Sequence, residues 1–343
     1  MKKSRLIKTL PWLLAAGLLV LVLRAVPLAD SWAALQQLKG TQILLLIAVN
    51  GLILILLNGR WWIILRGYGQ HIPFLTLLGY RLATFGVSYF TPGPHFGGEP
   101  LQVYLVENEQ QTSRVTAIAA MSLDKTLELL INFSFLLGGI ILIIQQRTLG
   151  GLVRSEAALF AGVLLFLPAG YLVGIWTHHA PLSWLMGLGM RLPIWQRKPR
   201  WFERFQRAQE TIHNSEKETS LFCRRAPMAV ALALLVSIAG WMLMIGEFWL
   251  MISFLGTSLS LVQLVTALTA ARIAILLLLP GSIGALEASQ AFAFGAMGLN
   301  PAIGISASLL IRGRDIILGT IGLWWGSRKV ALRKTSRKLR ADQ

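Results

Sequence analysis

The chain has 343 residues, 55% of them hydrophobic and only 14% charged, yet 32 Lys and Arg stand against 15 Asp and Glu, for a net charge of +17. Apolar runs of about 20 residues recur along it, which excludes an ordinary soluble domain and defines an all-α polytopic membrane protein. The basic excess sits in loops and tails between these runs, where it sets orientation and meets anionic headgroups, so it does not call for a nucleic-acid partner.

Residues 9–28 read as the first span. Lys2, Lys3, Arg5 and Lys8 precede it, and Pro11 and Arg24 fit a retained helix better than a cleaved signal peptide. This orientation puts the N-terminus inside and an Asp30–Lys39 loop outside. The second span, 41–65, ends near Arg60, Trp61, Trp62 and Arg66, a composition that reads as an interfacial anchor on the cytoplasmic side. The run 73–91 carries Arg81 and stops at Tyr89-Phe90-Thr91-Pro92-Gly93-Pro94-His95-Phe96-Gly97-Gly98-Glu99-Pro100. Helix-breaking residues and a carboxylate at membrane depth are costly unless they line a cavity or lie buried in protein.

A short run, 101–106, precedes the polar segment 107–114. Residues 115–145 form one long helix with Asp124, Lys125 and Glu128, and 157–176 is another span. The segment 177–225 is basic and amphiphilic, with Trp201, Phe202 and Phe205 among its charges, and reads as a cytoplasmic loop with a helix lying on the membrane surface. Spans resume at 226–252 and 260–279. A second break follows, Leu279-Pro280-Gly281-Ser282-Ile283-Gly284-Ala285-Leu286-Glu287, then a last span at 301–326 and a basic cytoplasmic tail at 327–343.

Every strongly basic segment falls inside only if 73–106 and 260–299 each enter and leave on the same side. The expected architecture is therefore about six full spans plus two re-entrant or paired-helix hairpins, with both termini in the cytoplasm of a cell that holds the chain in its inner membrane. The two breaks also define a repeat, about 41–176 and about 226–326. Each copy has an arginine in the first arm (Arg81; Arg272), a Pro-Gly break, a glutamate seven residues after the proline (Glu99; Glu287) and then a charged helix. The first hairpin opens from the cytoplasm and the second from outside, so the copies are expected to be inverted.

A single charge at the bilayer centre costs roughly 2.5–3.5 kcal/mol. Taken one at a time, acids and bases at depth pair to hold a bundle together. Taken as a set, they point to a polar cavity lined by Arg81, His95, Gly97, Gly98, Glu99, Asp124, Lys125 and Glu128 from one copy and Arg272, Glu287, Arg312, Arg314 and Asp315 from the other. Glu247 is a further acid in a span. Buried arginines suit phosphate, and broken helix ends add N–H donors for the same anion. Glu99 or Glu287 is a candidate proton carrier, and His95 a candidate headgroup ligand or proton relay.

Other features carry less. His178 and His179 lack a carboxylate at metal-ligand spacing and read as interfacial. Asn132-Phe133-Ser134 lies inside a span, so it is not a glycosylation site. Trp61, Trp62, Trp324 and Trp325 read as interface aromatics, and Gly138-Gly139 as a close-packing pair. Cys223 is the single cysteine, which leaves no disulfide within the chain and no thiolate zinc site. No Walker loop, dinucleotide fingerprint, HExxH or nucleophile elbow is present, so no cofactor, metal or catalytic residue is expected.

Pro92-Gly93-x-x-x-Gly97-Gly98-Glu99, Asp124-Lys125-x-x-Glu128 and Pro280-Gly281-x-x-Gly284-x-x-Glu287 with Arg312 resemble the lysylphosphatidylglycerol synthase transmembrane-region family, also called flippase-like. The resemblance spans roughly 8–326. It implies movement of a lipid between leaflets. A soluble aminoacyl-transferase domain does not follow the last span, so lysyl transfer is not implied. The chain has Gln102 where the family often has an arginine, and Asp124-Lys125-x-x-Glu128 for the usual Glu-Arg-x-x-Asp.

The leading expectation is thus a non-enzymatic, flippase-like protein that binds and translocates an anionic or phosphate-bearing lipid. The alternatives are a membrane enzyme acting on a lipid headgroup through Glu99 or His95, and a scaffold that recruits a membrane-associated synthase.

Overall fold

The computed structural model describes residues 28–91, 97–147, 154–191, 199–277, 279 and 282–341. Among them every regular element longer than one turn is a helix. In chain order these are α1 (Leu28–Gln36), α2 (Gly40–Gly67), α3 (Phe74–Phe90), α4 (Glu99–Glu109), α5 (Arg114–Gln146), α6 (Ser155–Trp176), α7 (Pro181–Met190), α8 (Pro199–Arg225), α9 (Pro227–Phe254), α10 (Leu261–Ile275), α11 (Ala285–Ala296) and α12 (Pro301–Ala341). The span expected at 9–28 lies almost wholly outside the described residues.

Four helices, α2, α5, α6 and α9, are long and apolar enough to cross a membrane. Their outer faces carry large apolar side chains with nothing packed on them. Leu44, Leu159, Phe166, Met228 and Leu235 are between 61% and 81% exposed, which water would penalise and lipid does not. The arms flanking the two breaks are shorter. At about 1.5 Å per residue, α3 (17 residues) and α10 (15 residues) fall short of the ~30 Å hydrocarbon core, and α4 and α11 more so.

Packing between the two stretches that the sequence reads as copies, about 41–176 and about 226–326, is reciprocal. The opening helices α2 and α9 lie along one another. The first arm of each hairpin packs against the long helix of the other copy, α3 on α12 and α10 on α5, while α4 packs on α5 and α11 on α12. The α3–α12 crossing is antiparallel and made by small residues. Gly79 receives the Trp325 ring, Gly322 meets the Leu82 carbonyl, and a Cβ added to Gly86 would stand 2.5 Å from the Gly319 carbonyl oxygen. At the α5–α10 crossing Gly139 abuts Thr269, but Gly138 faces open space, so only one of the expected pair serves packing.

Three expectations need correcting. The expected outer loop at 30–39 is largely helix α1, an Ala- and Leu-containing segment whose Ala34 is buried against α12. The helix that carries the span expected at 301–326 does not end there. No Gly or Pro interrupts 327–341, and the backbone stays helical to Ala341. The segment 177–225 expected as a cytoplasmic loop carrying a surface helix holds two helices, and part of the second is docked on protein. Glu216 of α8 accepts hydrogen bonds from the Leu182 and Ser183 amides at the start of α7 (2.8 and 3.0 Å), and Thr116 of α5 donates to Glu218 (2.7 Å). The C-terminal half of α8 is therefore docked on protein, with Ser215, Thr219 and Cys223 buried.

Candidate functional site

The described ends of the two breaks share one feature, a glycine amide that donates to the glutamate following it. At the first, Gly97 adopts φ 142° and donates its amide to Glu99 Oε2 (2.7 Å), while the Gly98 amide donates to Ser88 Oγ (2.9 Å) with its Cα against the Thr84 carbonyl. A side chain at either glycine would meet strain or backbone. At the second, Gly284 adopts φ 78° and donates to Glu287 Oε2 (2.9 Å). Glu287 so caps the helix that follows its break, Glu99 pins the turn just before its own, and each then reaches a cation on the next long helix. Lys125 Nζ lies 3.4 Å from Glu99, and Arg312 grips Glu287 through Nε and Nη2. His95 lies outside the described residues, as do Pro92, Gly93, Pro280 and Gly281.

The charged side chains gather around a cavity of about 390 Å³ between the copies. On one side Asp124 is held by Arg60 (2.6 Å) and Arg81 (2.9 Å), and Glu128 by Arg60 (3.2 Å) and Lys125 (2.8 Å). On another, Arg314 bonds Glu247 (2.7 Å) and Asp315 (2.9 Å), and Asn50 donates to Glu247 (3.1 Å). Arg312 also donates to the Ser282 carbonyl (2.7 Å) and reaches Tyr89 Oη of the first copy (3.5 Å). The remaining wall is apolar, with Leu54, Phe85, Phe133, Leu136, Met251 and Leu268.

Arg272 differs from the other cations. Its guanidinium lies over the Trp241 ring, 4.5 Å from the centroid, and among the described residues no carboxylate comes within 4.0 Å of it. It lines the cavity, so the site presents an arginine held by an aromatic face with its hydrogen-bonding edge uncommitted to protein acid.

Of the residues singled out by sequence, Arg81, Glu99, Asp124, Lys125, Glu128, Arg272, Arg312, Arg314 and Asp315 line this cavity. Glu287 does not. It is fully buried behind Arg312 and orients it. Gly97 and Gly98 shape the first break.

Several contributors escaped the sequence reading. Arg60 is not an interfacial anchor: it is 2% exposed at the centre of the Asp124 network, and Trp61 beside it is 1% exposed beneath Arg81. Its spacing carried the signal, because Leu46, Ile53 and Arg60 recur every seven residues on the buried face of α2. Asn50 and Tyr89 gave no signal. Gln102 did, since Glu99-x-x-Gln102 recurs as Glu287-x-x-Gln290.

A family model described as the lysylphosphatidylglycerol synthase TM region matches residues 9–322. A UPF0104 membrane protein of Methanothermobacter thermautotrophicus is 23% identical over 286 residues, which make up 81% of this chain and 82% of that protein. No solved structure matches the chain.

Proposed function

The chain belongs to the family of the lysylphosphatidylglycerol synthase TM region and is a membrane protein, and from that premise we propose that it binds an anionic, phosphate-bearing lipid in the cavity between its two copies and passes it between leaflets. The observation that carries this reading is the mixed wall: charged side chains that include Arg272, which no carboxylate among the described residues approaches within 4.0 Å, together with an apolar lining of leucine, phenylalanine and methionine. A phosphate headgroup matches the first and an acyl chain the second. In the proposed passage the headgroup stays against charged side chains, which spares it the cost of bare hydrocarbon, while the chains stay in apolar surroundings.

The reciprocal packing of α3 on α12 and α10 on α5 supports an inverted repeat with broken helices meeting at depth. The repeat units are about 41–176 and about 226–326, inserted in an inner membrane with cytoplasmic termini and about six spans beside the two hairpins. The protein acts as a carrier, so the lipid emerges unaltered.

Reconstitution tests this. Vesicles containing the full chain and a fluorescent phosphatidylglycerol are expected to show leaflet exchange, by quencher accessibility, well above empty vesicles. Arg272→Ala is expected to lower the rate by about tenfold or more, the loss of one charge-assisted contact at 1.4 kcal/mol per decade. Equal exchange by wild type, Arg272→Ala and Glu99→Gln would sink the cavity reading. A changed lipid mass would replace it with an enzyme.

A further inference from the structure

The equivalent glutamines of the two copies are used differently. Gln290 is fully buried, lies off the cavity, and donates its Nε2 to the Ala267 carbonyl (2.9 Å), tying α11 to α10. Gln102 is 7% exposed, lines the cavity, and its Nε2 has no acceptor among the described residues. Arg81, on the facing arm of the same hairpin, also lines the cavity, and its Nε likewise has no acceptor although its Nη2 holds Asp124.

The hairpin register brings these two donors together. Gly98 contacts Ser88 and Thr84 of α3. Gln102 lies one turn, or ~6 Å, further along α4, and the antiparallel return puts it level with Thr84 and Arg81. A buried donor without a partner carries a desolvation penalty that protein chemistry normally avoids. Two of them on residues of one cavity wall, on a chain that gives the Nε2 of the matching Gln290 a carbonyl acceptor, mark a place where something else supplies the acceptor. The last torsion of a glutamine side chain is broad, so its amide turns toward the cavity at little cost.

We propose that Arg81 Nε and Gln102 Nε2 form a two-donor subsite for an anionic phosphate oxygen, separate from Arg272, and that Gln102 sets headgroup specificity. This rests on the reading of the cavity as a lipid site and deepens it. Arg81 Nε and Gln102 Nε2 both donate, so the subsite favours an acceptor oxygen over an ammonium at that position.

The test is binding to the full chain in detergent, followed through tryptophan fluorescence, since Trp241 lies against Arg272 and Trp61 beneath Arg81. The probes are a short-chain phosphatidylglycerol and sn-glycerol 3-phosphate. Wild type is expected to bind the lipid saturably, and Gln102→Met to bind it about tenfold more weakly, the scale of one hydrogen bond to a charged group. Gln102→Met is also expected to melt at the same temperature as wild type or higher, because it removes an unsatisfied buried amide. Gln290→Met is expected to melt lower. Saturable binding of glycerol 3-phosphate with the same Gln102 dependence supports the subsite and identifies the phosphate as the recognised group. If only the lipid binds, the subsite stands with the lipid-borne phosphate as its ligand.

Equal lipid affinity in wild type and Gln102→Met overturns the subsite while leaving the transport reading to the Arg272 experiment. A Gln102→Met protein that loses binding and melts lower overturns it too, because that glutamine is then a structural brace. Absence of saturable binding of either probe to wild type overturns the subsite outright, and leaflet exchange then judges the transport reading by itself.

Discussion

Asp124 is the one acid of the described cavity wall whose carboxylate answers two arginines, Arg60 and Arg81. Removing it leaves Arg81 with no carboxylate among the described residues and the 2% exposed Arg60 with Glu128 alone. Removing Arg60 instead leaves Asp124 with Arg81 and Glu128 with Lys125. Uncompensated buried charge is the larger penalty, so Asp124→Asn is expected to destabilise the protein by about 3–5 kcal/mol and Arg60→Met by clearly less. Thermal unfolding in detergent measures the order, and Arg60→Met melting at or below Asp124→Asn would refute it. The same pair explains what could be read in advance. Asp124, Lys125 and Glu128 stand out because they interrupt an apolar run, and nothing but burial explains them there. Arg60 sits beside two tryptophans and near Arg66, a composition that an interfacial anchor shares. Its partner is 64 residues away, and only packing distinguishes the two situations.

Helix ends were legible where local chemistry decides them and hidden where tertiary contact does. Residues 115–145 read as one helix, and α5 runs Arg114–Gln146, opened by Ser113, whose Oγ accepts the Thr116 amide (3.0 Å). The docking of 177–225 could not be read, because its basic face is equally suited to a membrane surface, and Glu216 finds its partners 33 and 34 residues away. Glu216→Ala leaves the α7 amides without an acceptor and forfeits about 1–2 kcal/mol of local stability. Hydrogen exchange over 181–186 is expected to quicken by roughly tenfold, and unchanged exchange would remove the capping role. The α3–α12 crossing makes a second element-scale prediction. Gly322 meets backbone at Leu82, whereas Gly313, on the same helix, has nothing within 4 Å of an added Cβ. Gly322→Leu must separate the helices and is expected to cost about 1–3 kcal/mol, while Gly313→Leu stays near neutral. Equal melting of the two variants would show that the crossing tolerates separation.

At the scale of the whole molecule, charge and packing bear separately on the proposed inverted arrangement. Basic segments argue that each hairpin returns to the side it came from. The exchanged contacts, α3 on the other copy's long helix and α10 on the first copy's, are what a two-fold relation between the copies produces. An axis in the membrane plane reverses one copy, so α4 should end at the cytoplasmic face and α12 should begin at the external one. Single cysteines at Glu109 and Asn300 test this with a membrane-impermeant maleimide on right-side-out vesicles. The native thiol does not interfere. Cys223 is 2% exposed, and burial pushes its thiol up to about 11, so near pH 7.5 it is almost wholly protonated and a poor nucleophile. Asn300→Cys is expected to label from outside and Glu109→Cys only after the vesicles are opened. Labelling of both from outside would mean that one hairpin crosses the membrane an odd number of times. The copies would then be parallel, and the cavity would face one side of the membrane through both breaks, an arrangement in which alternating exposure of Arg272 could not arise from exchanging the roles of the two halves.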